Sequence, residues 1–322
     1  MIVTVTANPS LDRTAALAGE LQRGEVHRLV SATVEAGGKG VNVARAIRYA
    51  GRDVLAVLPA ADSDPILGLL EDLGLAHANL PVPARVRTNI TLTEPDGTTT
   101  KLNEPGTPMP NEAVAAFTEL VLAQASGADW VVLSGSLPPG MPADWYARLV
   151  PALRASGCKV AVDTSDEPLA ALAAAFPASA PDLLKPNSEE LAQLSGADAA
   201  ELEAAAHSGD VGAAVAAARV LVDAGVGAVL ATLGSAGAVL VTDSGAWRAV
   251  APPITLRSTF GAGDSSVAGY VMASLDGLDA PERLAAAVAY GSAAASLAGS
   301  GLPRPDQVEP SLVLIESCPE SR

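Results

Sequence analysis

Alternation of short apolar strands with helices is the feature that most restricts how this chain can fold. Residues 1–7 predict a strand and residues 40–50 a helix, followed by a strand at 53–58 and a helix at 65–73. The alternation continues to residues 281–297, the last predicted helix. Strands joined through helices form doubly wound parallel sheets, whose ligands bind at the carboxyl ends of the strands. The sequence therefore predicts an α/β fold with a doubly wound, mostly parallel sheet flanked by helices.

The remaining predicted elements follow the same order. Helices are expected at residues 110–125, 142–156, 210–224 and 263–275, and strands at residues 130–133, 160–162, 228–232 and 238–241. Hydrophobic residues make up 49% of the 322 residues but aromatic residues only 3%, so the core must consist mainly of Ala, Val and Leu. Aliphatic strands of this kind suit a sheet that is buried on both faces.

Charge and composition argue against several classes of protein. A formal net charge of −16 is unfavourable for nucleic-acid binding, because phosphate backbones require a basic surface. No apolar run reaches the roughly 18 residues that would span a membrane, and residues 1–5 resemble a strand more than a secretory signal. Two cysteines are too few for a disulfide framework. We therefore expect a cytoplasmic protein without a membrane or nucleic-acid partner.

Two segments interrupt the alternation of strands and helices, at residues 11–35 and 85–103. The second segment alternates polar and apolar residues and contains Asp96-Gly97, a hairpin-turn signal. We expect antiparallel strands from both segments to form a small inserted sheet that acts as a lid, within a single domain spanning residues 1–322. The proline-rich acidic tail from residue 303 onward is expected to be peripheral.

Residues 258–265 place small residues and one carboxylate where a loop becomes a helix. Backbone N–H groups at the start of a helix bind anions, and glycines allow a ligand to approach the backbone closely. Gly261, Ala262 and Gly263 are therefore candidates for an anion hole, with Asp264 as a general base for a hydroxyl group. This combination predicts phosphoryl transfer. The structural alternative is an acidic residue that merely favours its helix dipole.

The glycine-rich residues 36–44 open the first long helix. Lys39 and Asn42 are three residues apart and share a face at its positive end, which suits a phosphorylated polyol. Gly40 follows the lysine, so the segment does not match a P-loop. A solvated lysine at a helix start explains the same pattern. Asp12, just after the first strand, is a second candidate for gripping substrate hydroxyls, or part of an Asx turn.

Three further patterns are candidates for ligand binding, each with a structural alternative. Arg87 and Asn89 share the polar face of the inserted strand, where they either grip a phosphate or face water. Asn187 and Glu190 offer oxygen ligands suited to Mg²⁺, or form a capping box, and the two roles are compatible. Residues 232–237 either border a nucleotide or form a tight hairpin between two strands.

The order of these motifs resembles the ribokinase-like (PfkB) carbohydrate kinase family, from Asn8 to about Gly301. Residues 258–265 look like the second signature of that family, and residues 37–44 resemble its first. Within the family, the chain is most similar to the branch that acts on phosphorylated ketohexoses. The segments that carry this likeness are Asn8–Asp12, Arg87–Asn89, Leu102–Gly106 and Ser134–Gly140.

The resemblance implies a ribokinase-like fold and a role for each matching position. It implies that Asp264 is the general base and that Gly261, Ala262 and Gly263 form the anion hole. The implied sugar-phosphate site consists of Asp12, Gly38, Lys39, Asn42, Arg87, Asn89, Asn103 and Ser136. The implied ATP site consists of Lys185, Asn187, Thr232, Gly234 and Gly237, with Glu190 acting indirectly on Mg²⁺. A homodimer through the lid sheet is also implied.

The reaction implied by the resemblance is ATP-dependent phosphorylation of D-fructose 1-phosphate at its C6 hydroxyl. Kinases for tagatose 6-phosphate or fructose 6-phosphate are the nearest alternatives, because residue spacing cannot separate the three sugars. A non-catalytic sugar-phosphate sensor is a more distant one. A dinucleotide-dependent dehydrogenase is disfavoured, because no G-x-G-x-x-G follows the first strand.

The chain departs from the family pattern at three positions. Asp166 stands where relatives often have glycine, so the loop that contains it is expected to differ in shape. Phe260 replaces a small aliphatic residue, which should affect packing more than chemistry. Thr232 stands where serine is common and keeps the hydroxyl group.

Overall fold

Ten strands form the central sheet of the protein, whose computed structural model describes residues 1–318. The strands of the described chain are β1 (Ile2–Val5), β2 (Ser10–Leu17), β3 (Leu29–Gly37), β4 (Val54–Ala60), β5 (His77–Pro81), β6 (Arg87–Thr93), β7 (Thr99–Asn103), β8 (Trp130–Ser134), β9 (Lys159–Asp163), β10 (Leu183–Leu184), β11 (Ala228–Thr232), β12 (Ala238–Thr242), β13 (Gly245–Val250) and β14 (Leu314–Cys318). The helices are α1 (Lys39–Tyr49), α2 (Pro65–Asp72), α3 (Asn111–Gln124), α4 (Trp145–Ala155), α5 (Asp166–Ala174), α6 (Ser188–Ser195), α7 (Ala199–His207), α8 (Gly212–Asp223), α9 (Ala262–Leu275) and α10 (Ala280–Ala295).

The central sheet has the strand order β14-β13-β12-β11-β10-β9-β8-β1-β4-β5. Pairing is parallel from β5 through β11, and the strands β12, β13 and β14 continue the sheet in antiparallel pairs. The prediction of a mostly parallel sheet flanked by helices is confirmed. In the described part of the chain, no helix is both long enough and apolar enough to cross a membrane.

Side chains of the central strands pack alternately on the two faces of the sheet, as a period of two requires. In β8, Val131 and Leu133 join one apolar cluster, and Trp130 and Val132 join the other. The first cluster also contains side chains of α3 to α8, and the second contains side chains of α1, α2, α9 and α10. The central strands are therefore buried on both faces, and polar groups project at the strand ends.

The lid is a separate four-stranded sheet in the order β3-β2-β6-β7, built from both interrupting segments. The strands β2 and β3 are antiparallel, as are β6 and β7, and the turn at Asp96-Gly97 joins the latter pair. The predicted small inserted sheet is confirmed, and its pairing is mixed rather than antiparallel throughout, because β2 and β6 pair in parallel. The pairing brings Asp12 opposite Asn89.

The tail is not peripheral throughout, because β14 completes the outer edge of the central sheet. Its residues pair with β13 along the whole strand, from Val250 opposite Leu314 to Ala246 opposite Cys318. The edge strand β5 and the two-residue β10 also went unpredicted. Both are short, and each is stabilised by a neighbour far away in the sequence, so local periodicity gives little signal for them.

Asp166 begins α5 with a φ of 56°, a left-handed conformation that non-glycine residues seldom adopt. Its carboxylate accepts a hydrogen bond from Ser165 Oγ at 2.7 Å. Asp is among the residues that tolerate this conformation best. Asp166 therefore adopts a backbone conformation that glycine favours, and the expected difference in loop shape from relatives stays a prediction.

Candidate active site

A large cleft lies between the lid and the carboxyl ends of the central parallel strands. Its volume is about 1120 Å³, more than one small ligand usually needs, so it can hold two ligands side by side. Most of the predicted site residues line it: Asp12, Gly38, Lys39, Asn42, Arg87, Asn89, Lys185, Asn187, Thr232, Gly234, Gly237 and the run from Gly261 to Asp264. Residues from both sheets thus meet in one cavity.

Asp264 lies in the first turn of α9 and lines this cleft. It is only 6% exposed, and its Oδ2 accepts a hydrogen bond from Asn42 Nδ2 at 2.9 Å. Burial, together with the negative charge of Asp163, raises the pKa of Asp264 to about 6. A carboxylate with this pKa is ionised at neutral pH and is a stronger base than an exposed aspartate.

The residues before Asp264 form a turn at the start of α9 that lines the cleft. Gly261 caps α9 with a φ of 67°, a conformation that glycine adopts without strain. A Cβ atom on Gly263 would lie 3.4 Å from Lys185 Nζ, so the ammonium group lies directly against the turn. The unpaired N–H groups of the helix start and this ammonium together make a site for a phosphoryl group.

Asp163 holds the two cleft lysines in place and is a residue that the motif analysis missed. It ends β9, is 1% exposed, and accepts a hydrogen bond from Lys39 Nζ at 3.0 Å. Lys185 Nζ lies 3.3 Å from the same carboxylate oxygen. Burial opposes ionisation of Asp163, but Lys185 and Lys39 outweigh it and keep the pKa below its usual value. The second oxygen, Oδ2, is buried with no hydrogen-bond partner in the described chain.

Asp163 and Asp264 also fix the charge of Lys39. Burial alone would lower the pKa of this ammonium group, but the attraction of Asp163 and then of Asp264 raises it above its ordinary value. Lys39 therefore stays protonated throughout the range in which enzymes work. Lys39 therefore supplies a local positive charge that can bind an anion, although the chain as a whole is strongly acidic.

The lid contributes a cluster of polar side chains to the cleft, and this cluster is centred on Asp12. Its Oδ1 accepts hydrogen bonds from Ser10 Oγ at 2.7 Å and Asn89 Nδ2 at 2.9 Å. Gly37 allows this carboxylate to approach, because a Cβ atom there would lie 2.0 Å from Asp12 Oδ2. The amide oxygens of Asn42 and Asn89 are buried without a hydrogen-bond partner among the described residues. Buried acceptors of this kind require donors, such as the hydroxyl groups of a sugar.

Two basic residues of the lid face the same end of the cleft. Arg87 donates a hydrogen bond from Nη1 to the carbonyl oxygen of Glu104 at 3.0 Å, and its Nε is buried without a partner in the described chain. Burial lowers the pKa of Arg87, although Asp12 and Glu104 partly offset this effect. Lys101 on β7 also lines the cleft and is exposed. These cations can neutralise a phosphate held beneath the lid.

The opposite end of the cleft combines a polar loop with an apolar wall. Thr232, Gly234 and Gly237 lie on the turn between β11 and β12, as predicted from the hairpin pattern. Facing this turn are residues of the segment 250–256, in which Ile254 is 42% exposed. Apolar side chains left exposed inside a cleft favour a flat, partly apolar ligand such as a nucleotide base.

Asn187 and Glu190 form the capping box that was the structural alternative for this motif. Asn187 Oδ1 accepts from the N–H of Glu190, and Glu190 Oε2 accepts from the N–H of Asn187, both at 2.8 Å. Burial raises the pKa of Glu190. Asn187 lines the cleft, whereas Glu190 is not among the described residues that do.

Comparison with known proteins identifies the family of the chain. The family model described as pfkB family carbohydrate kinase matches residues 5–307. The chain belongs to this family. It is 37% identical to the 1-phosphofructokinase of Rhodobacter capsulatus over 313 residues, which cover 95% of this chain and 94% of that one.

Solved structures of the family have the same fold. A crystal structure of phosphofructokinase-2 from Escherichia coli in complex with substrates and products has a TM-score of 0.84 and 30% identity, covering 95% of this chain and 96% of that one. The ribokinase of Thermotoga maritima, at 19% identity, has a TM-score of 0.71 over 95% of this chain and 97% of that one. The fold is therefore ribokinase-like, and the chain is a carbohydrate kinase of the pfkB family.

Two predicted substrate residues of this pfkB kinase lie away from the cleft wall. Ser136 accepts a hydrogen bond from Asn8 Nδ2 at 3.3 Å and is not among the described residues lining the cleft. Asn103 is exposed at the end of β7 and is not among the described residues lining the cleft. Lys101, two residues earlier on the same face of the strand, lines it instead. Strand periodicity could have suggested Lys101, because residues two apart project on the same side.

We expect catalysis to require ionised Asp264, and the pH dependence of kcat/KM tests this prediction. Because the pKa of Asp264 is raised to about 6, the rate should be constant above about pH 7 and fall close to tenfold per pH unit below the pKa. Because Asp163 interacts with Asp264, the midpoint of this acid limb is an apparent pKa of the two carboxylates together. An acid limb centred near pH 4 would indicate an unshifted base and would contradict the expected environment of Asp264.

Proposed function

We propose that this protein transfers the γ-phosphoryl group of ATP to the C6 hydroxyl of D-fructose 1-phosphate, producing fructose 1,6-bisphosphate and ADP. The observation that carries the proposal is the buried Asp264 carboxylate in one cleft, which is lined both by polar residues of the lid and by the apolar segment 250–256. Support for this acceptor comes from the likeness to the 1-phosphofructokinase of Rhodobacter capsulatus. The whole chain, residues 1–322, is proposed to be one kinase domain.

In the proposed reaction, Asp264 takes the proton of the C6 hydroxyl as its oxygen attacks the γ-phosphorus. The new O–P bond forms as the bond from the γ-phosphorus to the β–γ bridging oxygen breaks, and that oxygen leaves with ADP. Negative charge on the migrating group is stabilised by the N–H groups from Gly261 to Gly263 and by the ammonium of Lys185. Asn42 holds Asp264 in position through its 2.9 Å hydrogen bond.

The sugar phosphate is proposed to bind beneath the lid. Asp12, Asn42 and Asn89 would accept hydrogen bonds from its hydroxyl groups or position them. The amide oxygens of Asn42 and Asn89 are buried acceptors without partners in the described chain. Gly38, Arg87 and Lys101 would hold the phosphate. Lid residues that contact the sugar also exclude water, which limits transfer of the phosphoryl group to a water molecule.

ATP is proposed to occupy the other end, with its base against residues 250–256 and its phosphates near Lys185 and Asn187. The donor set also fits Mg²⁺, because Asp163 Oδ2 is a buried carboxylate oxygen without a partner in the described chain. No group of three or more metal-binding side chains was found within residues 1–318. Asp163 and Glu190 would act on Mg²⁺ through water molecules. When bound, Mg²⁺ would neutralise phosphate charge.

Phosphorylation of three sugar phosphates by the purified protein tests the proposal. ADP formation is measured with D-fructose 1-phosphate, D-fructose 6-phosphate and D-tagatose 6-phosphate, and each product is identified by mass and NMR. The highest kcat/KM is expected with fructose 1-phosphate, with phosphorus appearing on C6. A preference for a 6-phosphate would assign the chain to the other kinase activity. No ADP formation with any sugar, although the sugars bind, would favour the sensor.

Removing either lid cation should weaken binding of the sugar phosphate more than it slows chemistry. For Arg87→Ala and Lys101→Ala, we expect KM for the sugar to rise about tenfold or more, with kcat changed much less, because a charge-assisted contact contributes about 1.5–3 kcal/mol. Steady-state kinetics over a range of sugar concentrations measures both constants.

The matched control for these two lid variants is Lys159→Ala. This exposed lysine lies 5.7 Å from the centre of the Trp130 ring and does not line the cleft. Its KM for the sugar should equal that of the unaltered protein. An unchanged KM for the sugar in both lid variants would show that other residues bind its phosphate.

We also propose that the protein is a cytoplasmic homodimer assembled through the lid sheet. The edge strand β3 carries exposed apolar side chains, among them Val30 at 69%, and Leu102 on β7 is 54% exposed. Apolar side chains on the edge of a small sheet favour pairing with a second copy. Sedimentation of the protein and of Val30→Lys distinguishes a dimer through this edge from a monomer.

A further inference from the structure

A partly buried contact joins the base of the lid to the segment that packs against the anion loop, here defined as residues 261–263. Glu35, near the end of β3, accepts a hydrogen bond from Ser300 Oγ through its Oε2. The two residues are 265 positions apart in the chain. Ser300 is 7% exposed and lies in the turn after α10, whereas Glu35 belongs to the lid. None of the roles assigned above uses this contact.

On the lid side, Glu35 is tied closely to the sugar end of the cleft. It lies directly opposite Asp12 in the pairing of β2 with β3. Its Oε1 accepts a hydrogen bond from Nη2 of Arg45 at 2.9 Å, and Arg45 is 3% exposed. Nη1 of the same guanidinium binds the carbonyl oxygen of Ala36 at 3.1 Å. Movement of Asp12 with a bound sugar would therefore displace Glu35.

On the other side, the turn that contains Ser300 packs against the anion loop. Leu302 is 5% exposed, and its Cδ2 lies 2.6 Å from the position that a Cβ atom on Gly261 would occupy. The carbonyl oxygen of Ala295, just before this turn, accepts hydrogen bonds from the N–H groups of Arg257 and Ser258 at 2.9 and 3.2 Å. The chain from 295 to 302 thus touches the anion loop and the segment leading into it.

We propose that the hydrogen bond between Glu35 and Ser300 transmits the position of the lid to the anion loop, so that the Ser300 hydroxyl is a positioning group for phosphoryl transfer. Through this contact, a sugar held by Asp12 would favour the arrangement of Gly261–Gly263 that accepts the migrating phosphoryl group. Phosphoryl transfer at the anion loop would then depend on whether a sugar is bound beneath the lid. This inference rests on the proposed kinase function.

Ser300→Ala tests the coupling, because it removes the hydroxyl while leaving the ion pair of Glu35 with Arg45 intact. We expect kcat with fructose 1-phosphate to fall about tenfold, within the range typical of coupled sites, and KM for the sugar to change less than about twofold. The slow hydrolysis of ATP without sugar should be unchanged. A variant with a smaller folded fraction would instead lose both rates in proportion.

Two further variants sharpen the comparison. Ser296→Ala is the matched control, since Ser296 lies in the same turn but its Oγ donates a local hydrogen bond to the carbonyl oxygen of Ala293, at 2.7 Å. It should keep the kcat of the unaltered protein. Ser300→Thr retains the hydroxyl and should restore most of the lost kcat. Equal kcat in Ser300→Ala and Ser296→Ala would overturn the proposal.

Hydrogen exchange provides a readout that does not depend on which sugar is the substrate. In Ser300→Ala, the amides of residues 259–264 and 33–38 should exchange faster than in Ser296→Ala, and exchange elsewhere should be the same. If the unaltered protein phosphorylates none of the sugars, the proposed function fails but this measurement still decides the coupling. Identical exchange in the two variants at residues 259–264 would refute the coupling by itself.

Discussion

Asp264→Asn is expected to lower kcat about 10²- to 10⁴-fold, because the substituted amide cannot accept the proton of the sugar hydroxyl. Asparagine has nearly the same shape, and its oxygen can still accept the hydrogen bond from Asn42. The KM values for ATP and the sugar should therefore change only slightly. Steady-state and single-turnover kinetics measure the loss, and isothermal titration verifies that both ligands bind.

The same substitution should leave the protein as stable as before or more stable. The pKa of Asp264 is raised in the folded protein, so ionisation of this group opposes folding once the pH rises above its unfolded value. Asp264→Asn removes that opposition, and the gain in melting temperature should be greatest above about pH 6 and vanish at low pH. An inactive but stable variant is the pattern of a group retained for chemistry.

Asp276→Asn is the matched control for Asp264→Asn. Asp276 follows the same helix but is exposed and pairs with Arg52 at the surface. It should retain full activity, with a change in stability of less than about 1 kcal/mol. Turnover close to normal in Asp264→Asn would remove this carboxylate as the base and, with it, the proposed reaction.

Asp163→Asn is expected to destabilise the protein by about 3–5 kcal/mol, since it leaves the buried ammonium group of Lys185 without its counter-ion. Lys185 is 5% exposed and depends on this carboxylate, as does Lys39. The melting temperature near pH 7 should fall accordingly. Because the pKa of Asp163 is lowered in the fold, its stabilising effect is present at neutral pH and is lost in acid. The difference from the unaltered protein should shrink below about pH 4.

Asp163→Asn should also change the pH dependence of catalysis. The negative charge of Asp163 is the second cause, after burial, of the raised pKa of Asp264, and Lys39 and Lys185 oppose it. Without Asp163, both lysines act more strongly on Asp264, so the acid limb of kcat/KM should move below about pH 6. Asp144→Asn, which breaks an exposed pair with Arg148, is the control and should alter neither property. An acid limb that stays in place would contradict the electrostatic link.

Most elements of the central sheet could be predicted because they have strong local patterns, unlike β5, β10 and β14. The helix predicted at residues 263–275 is Ala262–Leu275 in the structure, and the strand predicted at residues 228–232 has those same bounds. Glycine-rich helix starts were also visible, because small residues and helix caps are local features. Most of the cleft residues were found for the same reason, since they end strands or begin helices.

Features that depend on distant partners were missed. The parallel pairing of β2 with β6 joins segments whose order in the sheet no local pattern specifies. Pairing with β13 makes the tail strand β14 part of the sheet, although its composition suggested a peripheral segment. Asp163 was passed over because a lone aspartate at a strand end is common, and its importance comes from two lysines brought to it by folding.

The sequence by itself determined the types of element, their order and the residues able to bind phosphate, because hydrophobic periodicity and backbone chemistry act over a few residues. Only the tertiary structure decided which of those residues meet and how their charges behave. Asn42 and Asp264 are 222 positions apart, yet one donates a hydrogen bond to the other. The raised pKa of Asp264 arises from burial and from charges a few ångströms away. Both depend on distances through space, which a linear sequence does not contain.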